Sequence, residues 1–251
     1  MIDALQKQAI FQLRTSDVDA TGVMKVTVAA DCFQEVAADH ADSLGVGFDQ
    51  MQAKNLFWAL SYLKLTIYSY PQWRENIRIT TWPSGFDRFY ALRAFAIDDA
   101  DGKKLVQGQS NWLVVDIATR RPCHVPQWIL ERLAVPHQPA LTVPKEPFTG
   151  AEIERNFRVR YYDLDINQHV NNINYIEWIL ETVPNDILHE QKVQHLEINF
   201  RAEARLGDEI LCSSFKDRNS SAVFYHRCVE RSSNRELIRA QSQWQPLFRF
   251  S

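Results

Sequence analysis

The chain has 251 residues, a formal net charge of −3, 45% hydrophobic and 24% charged residues. That length suits one large domain or two small ones with a full core, and the charge balance excludes a global pull toward nucleic acid or an anionic membrane surface. Cys32, Cys123, Cys212 and Cys228 show no CxxC spacing, which argues against a zinc site or a redox pair and makes free thiols the simpler expectation.

In chain order, the amino terminus MIDALQKQAI lacks the apolar core of a secretory signal. No apolar run approaches the roughly 20 residues of a membrane-spanning helix. A cytoplasmic chain with no membrane segment is therefore expected. The segment FQLRTSDVDATGV begins at Phe11, and Phe33, Val36, Ala37, Ala41 and Leu44 then follow helical spacing, with Asp31 and Gln34 as a capping box. Leu63, Leu65 and Ile67 alternate as in a strand, and Asp101-Gly102 marks a hairpin turn before KKLVQGQSNWLVVD. Six of the ten prolines fall within 122–147, so 122–150 reads as a linker interrupted by a short helical run near Gln127–Leu133.

The stretch 160–184, RYYDLDINQHVNNINYIEWILETVP, changes period part-way. Asp163, Asp165, Asn167 and His169 recur every second residue, which in an extended chain places four polar groups on one face. Tyr175, Ile176, Ile179, Leu180 and Val183 then take helical spacing, with Asn171 or Asn172 as N-cap and Pro184 as stop. The first N–H groups of such a helix suit a polarised carbonyl or an oxyanion. A carboxylate, an amide and an imidazole at that terminus can hydrolyse an ester or thioester; the alternative is a capped turn of hydrogen-bonded polar residues.

The chain repeats itself. FRVRYYDLDINQH, from Phe157, matches the segment from Phe11, with Arg14, Asp17 and Asp19 set against Arg160, Asp163 and Asp165 at a constant offset of 146. Leu196, Ile198 and Phe200 match Leu63, Leu65 and Ile67, and AQSQW at 240–244 matches GQSNW at 108–112. Four matched features in one order indicate a duplication, each half reading as strand, helix, then antiparallel strands of an α+β unit. The halves differ where chemistry is expected: Asn167 and His169 face Thr21 and Val23, and Glu203 faces Tyr70.

Other chemistries fit poorly. A calcium loop opening at Asp163 would need Gly and Glu where Gln168 and Asn174 stand. Neither HExxH nor a His/Cys cluster marks a metal site, and no G-x-S-x-G occurs. Attack by water, activated by a carboxylate, is the natural proposal.

DLDINQHVNNINYIEWILETVP resembles the central signature of the acyl-acyl carrier protein thioesterases. The likeness extends to NLFWALSYLKLTIYSYPQWRENIRITTWPSGF at 55–86, QSNWLVVDIATRRP at 109–122 and LEINFRAEARLGDEI at 196–210. It implies a tandem hotdog fold, α+β, with two antiparallel sheets each wrapped around a long central helix. The expected parts are 1–121, holding the acyl chain, the linker 122–150, and 151–251, carrying catalysis. It also implies hydrolysis of fatty acyl-acyl carrier protein to free fatty acid, without metal or cofactor. Asp165, Asn167, His169 and Glu203 fall on the family's catalytic positions. Where plant members have a cysteine after that glutamate, this chain has Ala204, which favours water as nucleophile.

On this reading Asn167 and the N–H groups of Val170, Asn171 and Asn172 hold the thioester carbonyl. Leu56, Phe57, Trp58 and Tyr62 line the acyl chain, and Arg158, Arg160, Lys192, Arg201 and Arg205 face an acidic acyl carrier protein. An acyl-coenzyme A thioesterase and a non-catalytic acyl-binding protein are the alternatives. No nucleic-acid partner is indicated, and a homodimer is left open.

Overall fold

The computed structural model describes residues 5–142, 150–220 and 222–246. The chain divides into two compact units, Met1–Thr142 and Val143–Ser251. In the first, strands β1 (Lys7–Gln12), β2 (Leu56–Ile67), β3 (Asn76–Asp87), β4 (Tyr90–Asp98) and β5 (Lys104–Asp116) pair antiparallel in the order β1-β3-β4-β5-β2. Helix α1 (Val26–Ser43) packs across this sheet. Its Phe33 ring stacks on Phe95 of β4, with centroids 4.5 Å apart, and lies over Gly108 of β5. A Cβ at Gly108 would sit 2.3 Å from that ring, so the close approach of helix and sheet requires glycine there.

The expected capping box does not form, because α1 starts at Val26 and places Asp31 inside the helix. The preceding loop sets the start: the Lys25 N–H donates to the Asp17 carbonyl at 3.0 Å. The proline-rich stretch also differs from a free linker as far as residue 142. Strand β6 (Pro122–Cys123) pairs with β5, and α3 (Gln127–Leu133) buries Ile129 and Leu133 against Val46, Val114 and Met51, the last on α2 (Phe48–Gln52). The Phe86 and Gln138 N–H groups donate to the Pro136 and Phe86 carbonyls. Beyond the two-residue pairing of β6, the prolines keep the segment from forming a longer ladder without stopping it from packing. Residues 143–149 of the expected linker lie outside the described residues.

The second unit repeats the topology. Strands β7 (Ile153–Arg158), β8 (Gln191–Phe200), β9 (Glu209–Lys216), β10 (Val223–Glu230) and β11 (Arg235–Pro246) pair antiparallel in the order β8-β11-β10-β9-β7. Each unit is a hotdog. The second helix is shorter: α4 (Asn172–Leu180) ends before Pro184, which caps α5 (Asn185–Glu190) instead of stopping α4. Trp178 of α4 stacks on Phe157 of β7, with centroids 5.3 Å apart.

A polar layer crosses each helix–sheet interior. In the first unit Arg93 donates to His40 Nδ1 at 3.0 Å and to Thr81 Oγ1 at 3.2 Å. In the second, His226 contacts Thr182 Oγ1 at 3.2 Å and Ser242 Oγ at 2.8 Å, and Trp244 donates to the same serine. Burial pushes His226 down to about 3, and burial with the Arg93 charge pushes His40 down to about 4.

The expectation of four free thiols is corrected. Cys212 of β9 and Cys228 of β10 stand directly opposite each other and form a disulfide, a juxtaposition set by strand register and not by local spacing. Cys32 and Cys123 are free, and burial pushes Cys32 up to about 12.

Candidate active site

The stretch 163–172 is a tight loop, not the extended segment that alternation predicts. Tyr161–Asp163 form a 3-10 turn, in which Arg160 brackets the buried Asp163 with a contact at 2.9 Å. The chain then folds back, so that Leu164 bridges Val170. Asp165 organises the turn: its Oδ1 accepts from the N–H groups of Asn167 (2.8 Å) and His169 (3.2 Å), while its own N–H donates to the His169 carbonyl (2.8 Å). This is the local capture of backbone by a short carboxylate that favours turns over strands. Gln168 takes φ +63° at the corner.

The turn delivers His169 to Glu203. His169 Nε2 lies 3.2 Å from Glu203 Oε2; the imidazole is 11% exposed and the carboxylate 42%, so water reaches the second and little of the first. Two backbone ties hold the glutamate segment in place. The Val170 N–H donates to the Ala204 carbonyl (3.1 Å), and the Ala204 N–H donates to the Tyr175 hydroxyl of α4 (3.0 Å). Arg235 also donates to the Glu203 carbonyl at 2.9 Å. Burial pushes the Tyr175 hydroxyl well up, so it stays protonated. Its apolar spacing marks it as core in the sequence, and only the fold reveals that its hydroxyl supports this segment. Arg235 carries no sequence signal at all.

Two of the three donors expected at the helix start, the N–H groups of Val170 and Asn171, are taken within the protein. The Val170 N–H is taken by Ala204, the Asn171 N–H by the Asp163 carbonyl (2.9 Å), and the Ile173 N–H by the Asn171 side chain (3.0 Å). Asn171 is thus the N-cap and Asn172 the first helical residue. These bonds close the loop onto the helix, and they leave Val170 and Asn171 without an N–H for substrate. The exposed Asn167 amide, with a 3.5 Å contact to Asp165, is an available donor. Among the described residues, no group of three or more His, Cys, Asp or Glu is placed to hold a metal ion.

The first unit contains the same frame. Asp19 Oδ1 accepts from the Thr21 N–H (2.8 Å), its own N–H donates to the Val23 carbonyl (2.9 Å), and Val18 bridges Met24. Gly22 occupies the corner with φ +81°. Arg14 grips Asp17 as Arg160 grips Asp163. The frame therefore belongs to the fold, and the side chains of Asn167, His169 and Glu203 are added to it.

Family models match both units: an acyl-ACP thioesterase N-terminal domain over residues 5–133, and an acyl-ACP thioesterase C-terminal domain over 148–246. The chain belongs to the acyl-ACP thioesterase family. It is 24% identical over 261 residues to a chloroplastic acyl-[acyl-carrier-protein] hydrolase of Cuphea viscosissima, covering 97% of this chain and 63% of that protein. It is 26% identical over 266 residues to a chloroplastic palmitoyl-acyl carrier protein thioesterase of Arabidopsis thaliana, covering 96% and 64%. The chain thus spans a little under two thirds of the length of these relatives. A solved acyl-ACP thioesterase from Bacteroides thetaiotaomicron has a TM-score of 0.86 at 25% identity, covering 98% of this chain and all of that one. The 12:0-ACP thioesterase from Umbellularia californica, at 22% identity and TM-score 0.84 over 96% of this chain and 98% of that one, shares the fold.

In this family member, the four residues expected to line the acyl chain do not form one wall. Leu56 and Trp58 lie on the core side of β2 with α2 and α3, and the Trp58 indole donates to the Val46 carbonyl at 2.8 Å. Phe57 lies on the opposite face under Arg120. A bulge at Ser61 turns the buried Tyr62 to the face of Phe57. Of the expected docking cations, Lys192 is buried, and Arg201 is paired with Glu236.

Proposed function

We propose that this chain hydrolyses a fatty acyl thioester carried by acyl carrier protein, with water as nucleophile. The His169–Glu203 contact carries this reading, because it is built onto a turn whose first-unit counterpart keeps the frame and lacks both side chains. The names of the family and of its relatives support the carrier and the thioester.

Glu203 takes a proton from water, which its exposed carboxylate can reach. The water oxygen bonds to the thioester carbonyl carbon, and the Asn167 amide donates to the oxygen that becomes negative. Collapse breaks the carbon–sulfur bond, and the proton taken by Glu203 passes through His169 to the leaving thiolate. The products are a fatty acid and the free thiol. Asp165 sets the positions of Asn167 and His169 through the backbone, as Asp19 does where no such chemistry is present. Ala204 leaves no thiol beside Glu203 for a covalent route.

The test is incubation with one acyl group on acyl carrier protein and, separately, on coenzyme A, measuring free fatty acid. The account predicts higher kcat/KM on the protein carrier. Preference for the coenzyme would move the reading to an acyl-coenzyme A thioesterase, and binding of either thioester without release of acid would make the protein a non-catalytic acyl binder.

A further inference from the structure

Four large apolar side chains stand exposed on the two segments that form the site: Tyr161 (71% exposed), Tyr162 (94%), Ile166 (79%) and Leu206 (57%). The segments are sewn together. The Gly207 N–H donates to the Val159 carbonyl (3.0 Å), the Val159 N–H to the Asp208 carbonyl (2.9 Å), and the Val170 N–H to the Ala204 carbonyl. Soluble surfaces rarely concentrate such residues without a binding role.

The duplication shows that the fold does not require them. The first unit makes the same connections, with Arg74 donating to Leu13 and Leu13 to Glu75. There the exposed counterparts of Tyr161, Tyr162 and Ile166 are Thr15, Ser16 and Ala20. Only the position of Leu206 carries a large apolar side chain in both, its counterpart Trp73 lying under the Arg74 guanidinium at 4.1 Å. Cations diverge in the same direction: Arg158 and Arg205 face Gln12 and Gln72. Arg158 and Arg160 keep their side chains 74% and 78% exposed beside single carboxylates, and the exposed Arg205 side chain has no ion-pair partner among the described residues.

The geometry points to Tyr161, Tyr162, Ile166 and Leu206, flanked by Arg158, Arg160 and Arg205, as the surface on which the acyl carrier protein docks. Apolar side chains of an amphipathic acidic helix would rest on the aromatic pair while its carboxylates meet the arginines. The inference rests on the proposed hydrolysis, since a carrier-borne thioester brings its carrier to the edge of the Glu203 site.

The experiment measures calorimetric binding of holo acyl carrier protein to the full chain in a Glu203→Gln background, so that turnover does not interfere. One variant carries Tyr161→Thr with Tyr162→Ser, the other Arg158→Gln with Arg205→Gln. All four replacements are the first unit's own residues at equivalent positions, and unchanged melting temperatures confirm folding. Each pair is expected to raise Kd about tenfold or more, and added salt to weaken binding of the tyrosine variant more than that of the arginine variant. Unchanged carrier binding in both variants overturns the proposal. So does loss of binding to anionic phospholipid vesicles in the tyrosine variant with carrier binding intact, which would make the surface a membrane contact. Absence of hydrolysis by the parent chain, with carrier binding present and sensitive to these substitutions, counts against the hydrolase reading alone.

Discussion

The turns at 17–26 and 163–172 have one backbone pattern and two sets of side chains. Asp19 and Asp165 each capture two or more donors of their own loop, and Val18–Met24 and Leu164–Val170 close the same bridge. At the next shell Thr21, Val23 and Tyr70 stand where Asn167, His169 and Glu203 do. A duplicated fold thus contains its own control: what both turns keep is architecture, and what one has added carries the proposed chemistry. Asp165, which looks like part of a polar catalytic row in the sequence, falls on the architectural side of that division.

The comparison can be broken most forcefully by giving the second turn the first turn's residue. His169→Val should lower thioester hydrolysis by about 100-fold or more, within the range of general acid–base contributions. Its melting temperature should change little, since Val23 shows that the frame accepts valine. A collapse in stability equal to the loss of activity would place His169 among the architectural residues.

Acid stability sharpens the contrast between the two interiors. His226 and His40 are bases whose pKa values the fold lowers to about 3 and about 4. Below about pH 6.5 the unfolded chain takes up protons that the folded chain refuses. Their stabilising contribution is therefore complete above pH 6.5 and is lost as pH falls toward 4 for His40 and toward 3 for His226. Denaturant titrations should find the chain less stable at pH 5 than at pH 7 by about 2 kcal/mol for the fully buried His226. His226→Gln should flatten that part of the dependence; an unchanged profile would mean that the histidine is not held neutral.

A smaller effect separates the two aspartates. Asp19→Asn and Asp165→Asn should each cost about 1 kcal/mol, by weakening charge-assisted bonds to the loop backbone. Only Asp165→Asn should also reduce turnover, because only its loop carries Asn167 and His169. Equal turnover in the two variants would remove Asp165 from the positioning role.

The duplication, the antiparallel units and the family were legible because they rest on long patterns: alternating apolar residues, paired Arg–Asp signatures and matched strand ends. Likeness to the family singled out Asp165, Asn167, His169 and Glu203 as candidates, but their geometry was not legible. Period-two spacing from Asp163 to His169 promised a strand, yet short carboxylates that can bond their own backbone fold such a segment into a turn. The Val170 and Asn171 N–H groups, expected to serve substrate at the helix terminus, are instead taken by the Ala204 and Asp163 carbonyls. Tyr175 read as core because its helical position is apolar in period, while the role of its hydroxyl depends on a segment 29 residues away. The Cys212–Cys228 bond and the split faces of β2 depend on strand register and on the bulge at Ser61, which no local pattern encodes.

The central claim is that Glu203 activates water on a frame that the fold supplies in both units. The direct measurement is kcat for an acyl-acyl carrier protein with Glu203→Gln, in protein whose melting temperature matches the parent. The account predicts a loss of about 100- to 10,000-fold. Turnover within a few-fold of the parent would contradict it.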